Sequence, residues 1–146
     1  MKARRRSRDA KLELLGGVPL FRACSKRDLS RIAALVDEVD VPKGRVLTRQ
    51  GEPGWEFFVI ADGEARAAMR GRGTSPLRRG SFFGEMSLLD GGPRSATVTA
   101  ETDMHLLVLS SRNFSALIDD VPGVGRRVLK VLAERLRNAE RGQPAH

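Results

Sequence analysis

The spacing of hydrophobic residues changes twice along the chain. Near the amino terminus the spacing has a helical period, which predicts one helix at Arg8–Leu15 and a second helix after the N-capping residue Ser25. Residues 37–109 break into short apolar segments, a pattern that is typical of strands. The helical period then returns and predicts a short helix at Ser111–Ile118 and a longer amphipathic helix that begins at Pro122.

Turn residues divide the middle of the chain into strands. Proline fixes φ and glycine permits positive φ, so Pro42-Lys43-Gly44 and Gly51-Glu52-Pro53-Gly54 are predicted turns. Asp62-Gly63 lies between two apolar runs, which is a strong signal for a β-hairpin. The predicted strands are Asp37–Val41, Arg45–Thr48, Glu56–Ala61, Glu64–Arg70, Ser75–Leu77, Ala96–Ala100 and His105–Leu109.

Many short strands between helical segments predict a mainly β fold with flanking α-helices. We expect a β-roll, or jelly-roll barrel, with N-terminal helices, one short internal helix and a long C-terminal helix. The 146 residues suffice for one hydrophobic core and are too few for two. The predicted divisions are a basic tail at 1–11, a domain at 12–141 and a tail at 142–146; the domain comprises helices at 12–36, the roll at 37–109 and helices at 110–141.

The net charge of +8 is concentrated at the two ends of the chain. Residues 1–11 carry six basic and one acidic side chain, residues 122–146 carry six basic and two acidic ones, and the part between them is nearly balanced. This distribution is more typical of solubilising ends than of a sequence-specific nucleic-acid site. The chain also has no apolar run long enough for a membrane span and no signal peptide, which predicts a cytoplasmic protein.

Few residues are suited to metal binding or redox chemistry. The one cysteine, Cys24, rules out an internal disulfide and is interpreted as a half-buried small residue. The strands contain one histidine, His105, which is interpreted as a plain strand residue, so we expect no metal site. A metal-dependent enzyme on a small barrel is therefore disfavoured, and the chain is predicted not to be an enzyme. Trp55 follows a Pro-Gly turn and is predicted to be a packing residue.

One segment, residues 84–96, carries residues suited to anion binding, and we call it the cassette. Gly84 permits close approach of a ligand, and the helical turn predicted at Glu85–Leu89 presents unpaired N–H groups. Arg94 follows a Gly-Gly-Pro turn, and its guanidinium matches a phosphate. Glu85 would repel a phosphate, but it can accept hydrogen bonds from sugar hydroxyls. Together these residues indicate a small nucleotide with one negative charge.

The stretch GEMSLLDGGPRSATVTA at residues 84–100 resembles the phosphate-binding cassette of cyclic-nucleotide-binding domains. Such domains occur in catabolite activator protein, in regulatory subunits of cAMP-dependent kinase and in cyclic-nucleotide-gated channels. The resemblance extends over about residues 11–138 and includes VPLF, VPKG, FFVIADGEA and GSFFGE. It implies a cAMP or cGMP site, with no metal, whose ligand-binding residues are Gly84, Glu85, Met86, Ser87, Arg94, Ser95 and Ala96.

The resemblance also implies a role for each part of that site. Glu85 would hold the ribose 2′-hydroxyl and Arg94 the cyclic phosphate, while Ser95 does not decide between adenine and guanine. We expect Arg94 to face a water-filled pocket in the free protein, so that its removal leaves the fold unaffected. The last helix would act as a lid whose residues Leu132, Arg135 and Leu136 cap the purine.

The resemblance implies a regulatory module that moves its C-terminal helix on binding and signals to a downstream protein. The alternative is a transcription regulator of the catabolite-activator type that lacks, or is detached from, its DNA-binding domain. Only 25 residues follow Val121, and the lid helix uses most of them, so sequence-specific binding to nucleic acid is disfavoured. The sequence leaves the oligomeric state open, a homodimer included.

Overall fold

The computed structural model describes residues 2–3 and 7–140. Helices lie before and after a β-roll, and one short helix interrupts the roll. The helices are α1 Arg8–Gly16, α2 Lys26–Leu35, α3 Glu85–Asp90, α4 Ser111–Asp120 and α5 Pro122–Glu140, with a 3-10 turn at Pro19–Phe21. The strands are β1 Lys2–Ala3, β2 Asp37–Val41, β3 Val46–Thr48, β4 Glu56–Asp62, β5 Ala65–Met69, β6 Gly73–Leu77, β7 Phe82–Phe83, β8 Thr97–Ala100 and β9 Met104–Ser110.

The strands form two antiparallel sheets. The first has the order β1-β2-β9-β4-β7, and the second has the order β3-β8-β5-β6. In the first sheet Phe57 pairs with Leu109 and Val59 pairs with Leu107. The predicted mainly β fold with flanking helices is confirmed.

Strand β4 separates two hydrophobic clusters. Because successive strand residues point to opposite faces, Phe57 and Phe58 enter different clusters. Phe57 packs under the helices, with its ring centre 4.5 Å from that of Phe114. Phe58 packs between the sheets, with its ring centre 4.7 Å from that of Phe83. Both faces of β4 are therefore buried, which explains its uninterrupted apolar sequence.

Helix α1 begins at Arg8, where its periodicity predicts the start. The Oγ of Ser7 caps it by accepting a hydrogen bond from the Ala10 N–H at 3.3 Å. This start lies within residues 1–11, the segment that is predicted as a basic tail. The pair Lys2–Ala3 also lies in that segment and adds to the edge of β2. The predicted tail at 142–146 lies outside the described residues. Strand β7 was not predicted, since two residues give no measurable period.

Three interpretations of single residues can be compared with the fold. Trp55 is 67% exposed, so its prediction as a packing residue is wrong; it lies in the loop that precedes β4. Cys24 is half-buried as predicted, and burial raises the pKa of its thiol. His105 lies in β9 as predicted, and its ring nitrogens contact carboxylate oxygens of Glu38 at 2.7 Å and Asp40 at 2.8 Å. Within the described ranges, no helix is both long and apolar enough to span a membrane.

Two aromatic residues, Trp55 just before β4 and Phe57 within it, give a matched pair for testing the core. Phe57→Ala should lower the free energy of unfolding by about 3–5 kcal/mol, because it removes a fully buried ring and leaves a cavity. Trp55→Ala should change it by less than about 0.5 kcal/mol, because the ring is mostly exposed. Urea unfolding monitored by circular dichroism measures both values. A loss at Trp55 as large as that at Phe57 would contradict this account of the core.

Candidate functional site

The cassette backbone begins and ends its short helix with left-handed glycines. Gly84 precedes α3 with φ of 92°, and Gly91 follows it with φ of 70°. A Cβ at Gly84 would lie 2.5 Å from the carbonyl oxygen of Glu56, so the cassette passes directly over the start of β4. After α3 the chain pairs with the loop before β4, where the Arg94 N–H donates to the Glu52 oxygen at 2.9 Å.

The Arg94 side chain is buried and is held by backbone carbonyls. Its Nη1 donates to the carbonyl oxygens of Glu56 at 2.9 Å and Gly84 at 3.2 Å, and its guanidinium lies 5.8 Å from the ring centre of Phe58. The side chain is only 6% exposed, which corrects the expectation that it faces a water-filled pocket. Burial lowers the pKa of Arg94, and the carboxylates of Glu56 and Glu85 partly offset this effect.

No carboxylate in the described part of the chain lies within ion-pair distance of Arg94. Carbonyl oxygens satisfy N–H groups, but they do not neutralise a positive charge. A buried charge is costly unless it is paired. The guanidinium is therefore suited to receive an anion.

Glu85 is the second charged residue of the cassette, and it connects the cassette to α5. Its side chain is fully buried, and its Oε1 accepts a hydrogen bond from Nη1 of Arg135. The Nη2 of Arg135 donates to the Phe82 oxygen at 2.6 Å, and its guanidinium lies 4.6 Å from the Phe82 ring centre. The Oε2 of Glu85 and the Oγ of Ser87 have no hydrogen-bond partner among the described residues.

Two spaces adjoin Arg94. A cavity of about 10 Å³ lies between α3 and the second sheet, which is room for about one water molecule. An open groove of about 540 Å³ lies beside it, and Trp55 is one of its lining residues. Arg94 and Thr48 line both spaces. Among the described residues, no cluster of His, Cys, Asp or Glu side chains is suited to hold a metal ion.

Comparison with known proteins assigns this fold and site to a family. A family model described as "Cyclic nucleotide-binding domain" matches residues 38–121, which is more than half of the chain. The chain belongs to the cyclic nucleotide-binding domain family. The match covers the roll from its second residue, Glu38, onwards, and it includes the entire cassette and α4.

Curated relatives of this cyclic nucleotide-binding domain include kinase subunits and channels. The cAMP-dependent protein kinase regulatory subunit of Emericella nidulans is 35% identical over 85% of this chain and 30% of its own length. A cyclic nucleotide-gated potassium channel of Rhizobium etli is 37% identical over 84% of this chain and 34% of its own length. The chain thus spans about a third of the length of these two relatives.

The domain is also similar to solved structures. The Catabolite Activator Protein of Thermus thermophilus is 34% identical, with a TM-score of 0.74, over 84% of this chain and 60% of that chain. This activator therefore shares the fold of the domain over most of the chain.

The cassette residues predicted from the sequence lie together around the small cavity, except for Glu85. The Glu85 carboxylate faces α5 and does not line the cavity. Sequence reasoning did not single out Thr48, Phe83 and Val98, which complete the cavity wall. Thr48 and Val98 lie in predicted strands, Phe83 lies in the short strand β7, and no local signal distinguishes a cavity wall from core. The cavity is lined by the predicted residues Gly84, Met86, Ser87, Arg94, Ser95 and Ala96.

The three predicted lid residues occupy different environments on α5. Arg135 contacts the cassette through Glu85. Leu132 is half-buried against the cluster beneath the helices, and Leu136 is 63% exposed. None of them lines the small cavity or the open groove beside it. Their role in capping a purine stays a prediction.

The two glycines that flank α3 give a matched test of the close packing at the cassette. Gly91→Ala should lower the free energy of unfolding by about 1–2 kcal/mol, the ordinary cost of a left-handed L-residue. Gly84→Ala should lower it further, because its Cβ would overlap the Glu56 oxygen and lie 2.8 Å from the Arg94 Nη1, whereas Gly91 has open space. Urea unfolding of both variants measures the difference. Equal losses would show that the cassette does not rest on β4.

Proposed function

We propose that this chain is a non-enzymatic regulatory module that binds cAMP or cGMP at the cassette. The observation that carries the proposal is the Arg94 guanidinium, which is buried and has no carboxylate partner among the described residues. A cyclic phosphate has one negative charge and two exocyclic oxygens, which a guanidinium can bind in a forked geometry. The names of the kinase-subunit relatives make cAMP the first ligand to test.

In this proposal Arg94 binds the cyclic phosphate. It would exchange one or both of its carbonyl partners, at Glu56 and Gly84, for phosphate oxygens. Charge-assisted hydrogen bonds are stronger than hydrogen bonds to neutral carbonyls, so this exchange is favourable. Backbone N–H groups of the cassette at Glu85, Met86, Ser95 and Ala96 would share the negative charge.

Glu85 would bind the ribose of the nucleotide. Its Oε2 is a buried acceptor with no partner among the described residues, and such an atom is costly until a donor reaches it. The ribose 2′-hydroxyl supplies that donor while Oε1 remains on Arg135. Ser87 Oγ is similarly unpartnered and lines the cavity, so it is available to a second polar group of the ligand.

Ligand entry requires the cassette to move. The cavity beside Arg94 holds about one water molecule, which is far less than a nucleotide needs. The open groove shares Arg94 and Thr48 with the cavity, so displacement of the cassette would join the two spaces. Because Glu85 is bonded to Arg135, this displacement would also shift α5. We propose that this helix movement carries the signal to a downstream protein.

Calorimetry with cAMP, cGMP and 5′-AMP tests the proposal directly. The cyclic nucleotides should bind at least tenfold more tightly than 5′-AMP, since one guanidinium balances a single phosphate charge better than two. Arg94→Ala should weaken binding by roughly 30-fold to several-thousand-fold. Arg94→Lys should also be impaired, because lysine keeps the charge but lacks the forked geometry.

The control for the Arg94 variants is their stability without ligand. Arg94→Ala leaves two carbonyls without their donor, so it should lower the free energy of unfolding by about 1–3 kcal/mol and still fold. Binding of cAMP and cGMP to a folded Arg94→Ala variant within about threefold of wild type would overturn the phosphate assignment.

The role of Glu85 is tested by a double cycle with 2′-deoxy-cAMP. On the wild type the missing hydroxyl should weaken binding by roughly 10- to 150-fold, as expected for a hydrogen bond to a charged group. On Glu85→Gln the same change of ligand should cost much less, because the charged acceptor is already absent. Isothermal titration of the four combinations gives the coupling. Fully additive losses would show that Glu85 does not read the ribose.

A further inference from the structure

A second groove lies beside α5 and is strongly basic. Its volume is about 570 Å³, and it is bounded by α5, by the 3-10 turn at Pro19–Phe21 and by the loop between β6 and β7. It does not include any residue that lines the cavity beside Arg94. Its charged lining consists of five cations and one carboxylate: Arg22, Arg79, Arg127, Lys130, Arg135 and Glu134.

Backbone carbonyls hold two of these guanidiniums in place without neutralising them. Arg79 donates to the Gly17 oxygen at 2.9 Å, and Arg127 donates to the Pro19 oxygen at 2.6 Å. Arg135 differs, because Glu85 balances its charge. After Glu134 is counted against the other cations, the groove keeps an excess of three positive charges among its described residues. The charges of Arg79 and Arg127 are pre-positioned, so a partner would lose little side-chain entropy by using these two.

The two remaining cations have no visible structural role. Arg22 and Lys130 are exposed, and neither side chain makes a hydrogen bond or ion pair with another described residue. One lies on the chain after the 3-10 turn and the other on α5, and both line the groove. Like charges that line one groove repel each other, and an anion bound there would offset that repulsion.

The layout of the groove distinguishes between two kinds of anion. A single phosphate group needs converging donors, but the nearby Gly80 and Ser81 N–H groups already donate to the Ile60 and Arg78 oxygens. The cations are instead spread over three elements of the chain. Pro19 and Val131 contribute apolar lining to the same groove.

We propose that this groove docks an acidic segment of a partner polypeptide, with an apolar side chain of that segment between Pro19 and Val131. Spaced carboxylates match the spread cations, and the apolar lining gives the segment a hydrophobic anchor. This inference does not depend on the ligand proposed for the cassette.

Fluorescence anisotropy with a labelled probe peptide tests the docking surface. The probe alternates pairs of glutamate and leucine, and its control peptide has glutamine in place of every glutamate. The wild-type chain should bind the glutamate peptide saturably and at least about tenfold more tightly than the glutamine peptide. The double variant Arg22→Glu/Lys130→Glu should lose roughly tenfold in affinity, because two attractions become repulsions. The control double variant Lys43→Glu/Arg112→Glu, which makes the same change of charge at two exposed positions outside the groove, should bind as wild type does.

The outcomes separate this proposal from its alternatives. Equal binding of both peptides, or equal binding by the wild type and the double variant, would overturn it. The same holds if the probe peptide fails to bind while the chain binds vesicles that contain phosphatidylserine, since the surface would then serve a membrane. Circular dichroism of the three proteins confirms that each is folded, because the substituted side chains are exposed.

Discussion

Burial of a positive charge without a carboxylate partner is unfavourable, and in this protein a backbone carbonyl at the start of β4 partly offsets that cost. The Glu56 carbonyl accepts a hydrogen bond from Arg94 and also sets how closely Gly84 passes. Two residues further along, β4 separates the cluster under the helices from the cluster between the sheets. The cassette is therefore supported by a strand that is buried on both of its faces. A loop can hold a cation in this way only because the strand beneath it is rigid.

The second constraint is the contact between Glu85 and Arg135. The carboxylate is fully buried, so withdrawal of α5 would leave it without its charged partner. Arg135 also donates to the Phe82 carbonyl, which is part of the strand just before the cassette. The cassette and α5 thus share one charged contact, and a change at either end alters the energy of the other. Neither can be displaced alone at low cost.

Much of the roll was predictable because its signals are local. The Asp62-Gly63 turn and the apolar segments on either side of it predict a hairpin within a few residues. The cassette was equally readable, since Gly84, Glu85 and Arg94 stand at fixed short spacings. These features need no knowledge of distant parts of the chain.

Around the site, what the sequence could not show are the contacts made through space. The carbonyl partners of Arg94 belong to Glu56 and Gly84, so its burial could not be read from the cassette alone. The helix position of Arg135 predicts a lid residue, but its hydrogen-bond partner Glu85 lies 50 residues earlier in the chain. Trp55 was misjudged because an aromatic residue after a Pro-Gly turn can begin a strand or precede it, and only the completed sheet decides which.

The order of the strands has a consequence for how the protein avoids self-association through its sheets. An edge strand offers unpaired N–H and C=O groups to any neighbouring chain, and short edges limit that risk. In the described part of the chain three edges have two or three residues, namely β1, β7 and β3. Only β6 is longer, and it contains Pro76, which has no N–H to offer. Among the described strands, proline therefore interrupts the one edge that is long enough to template a foreign strand.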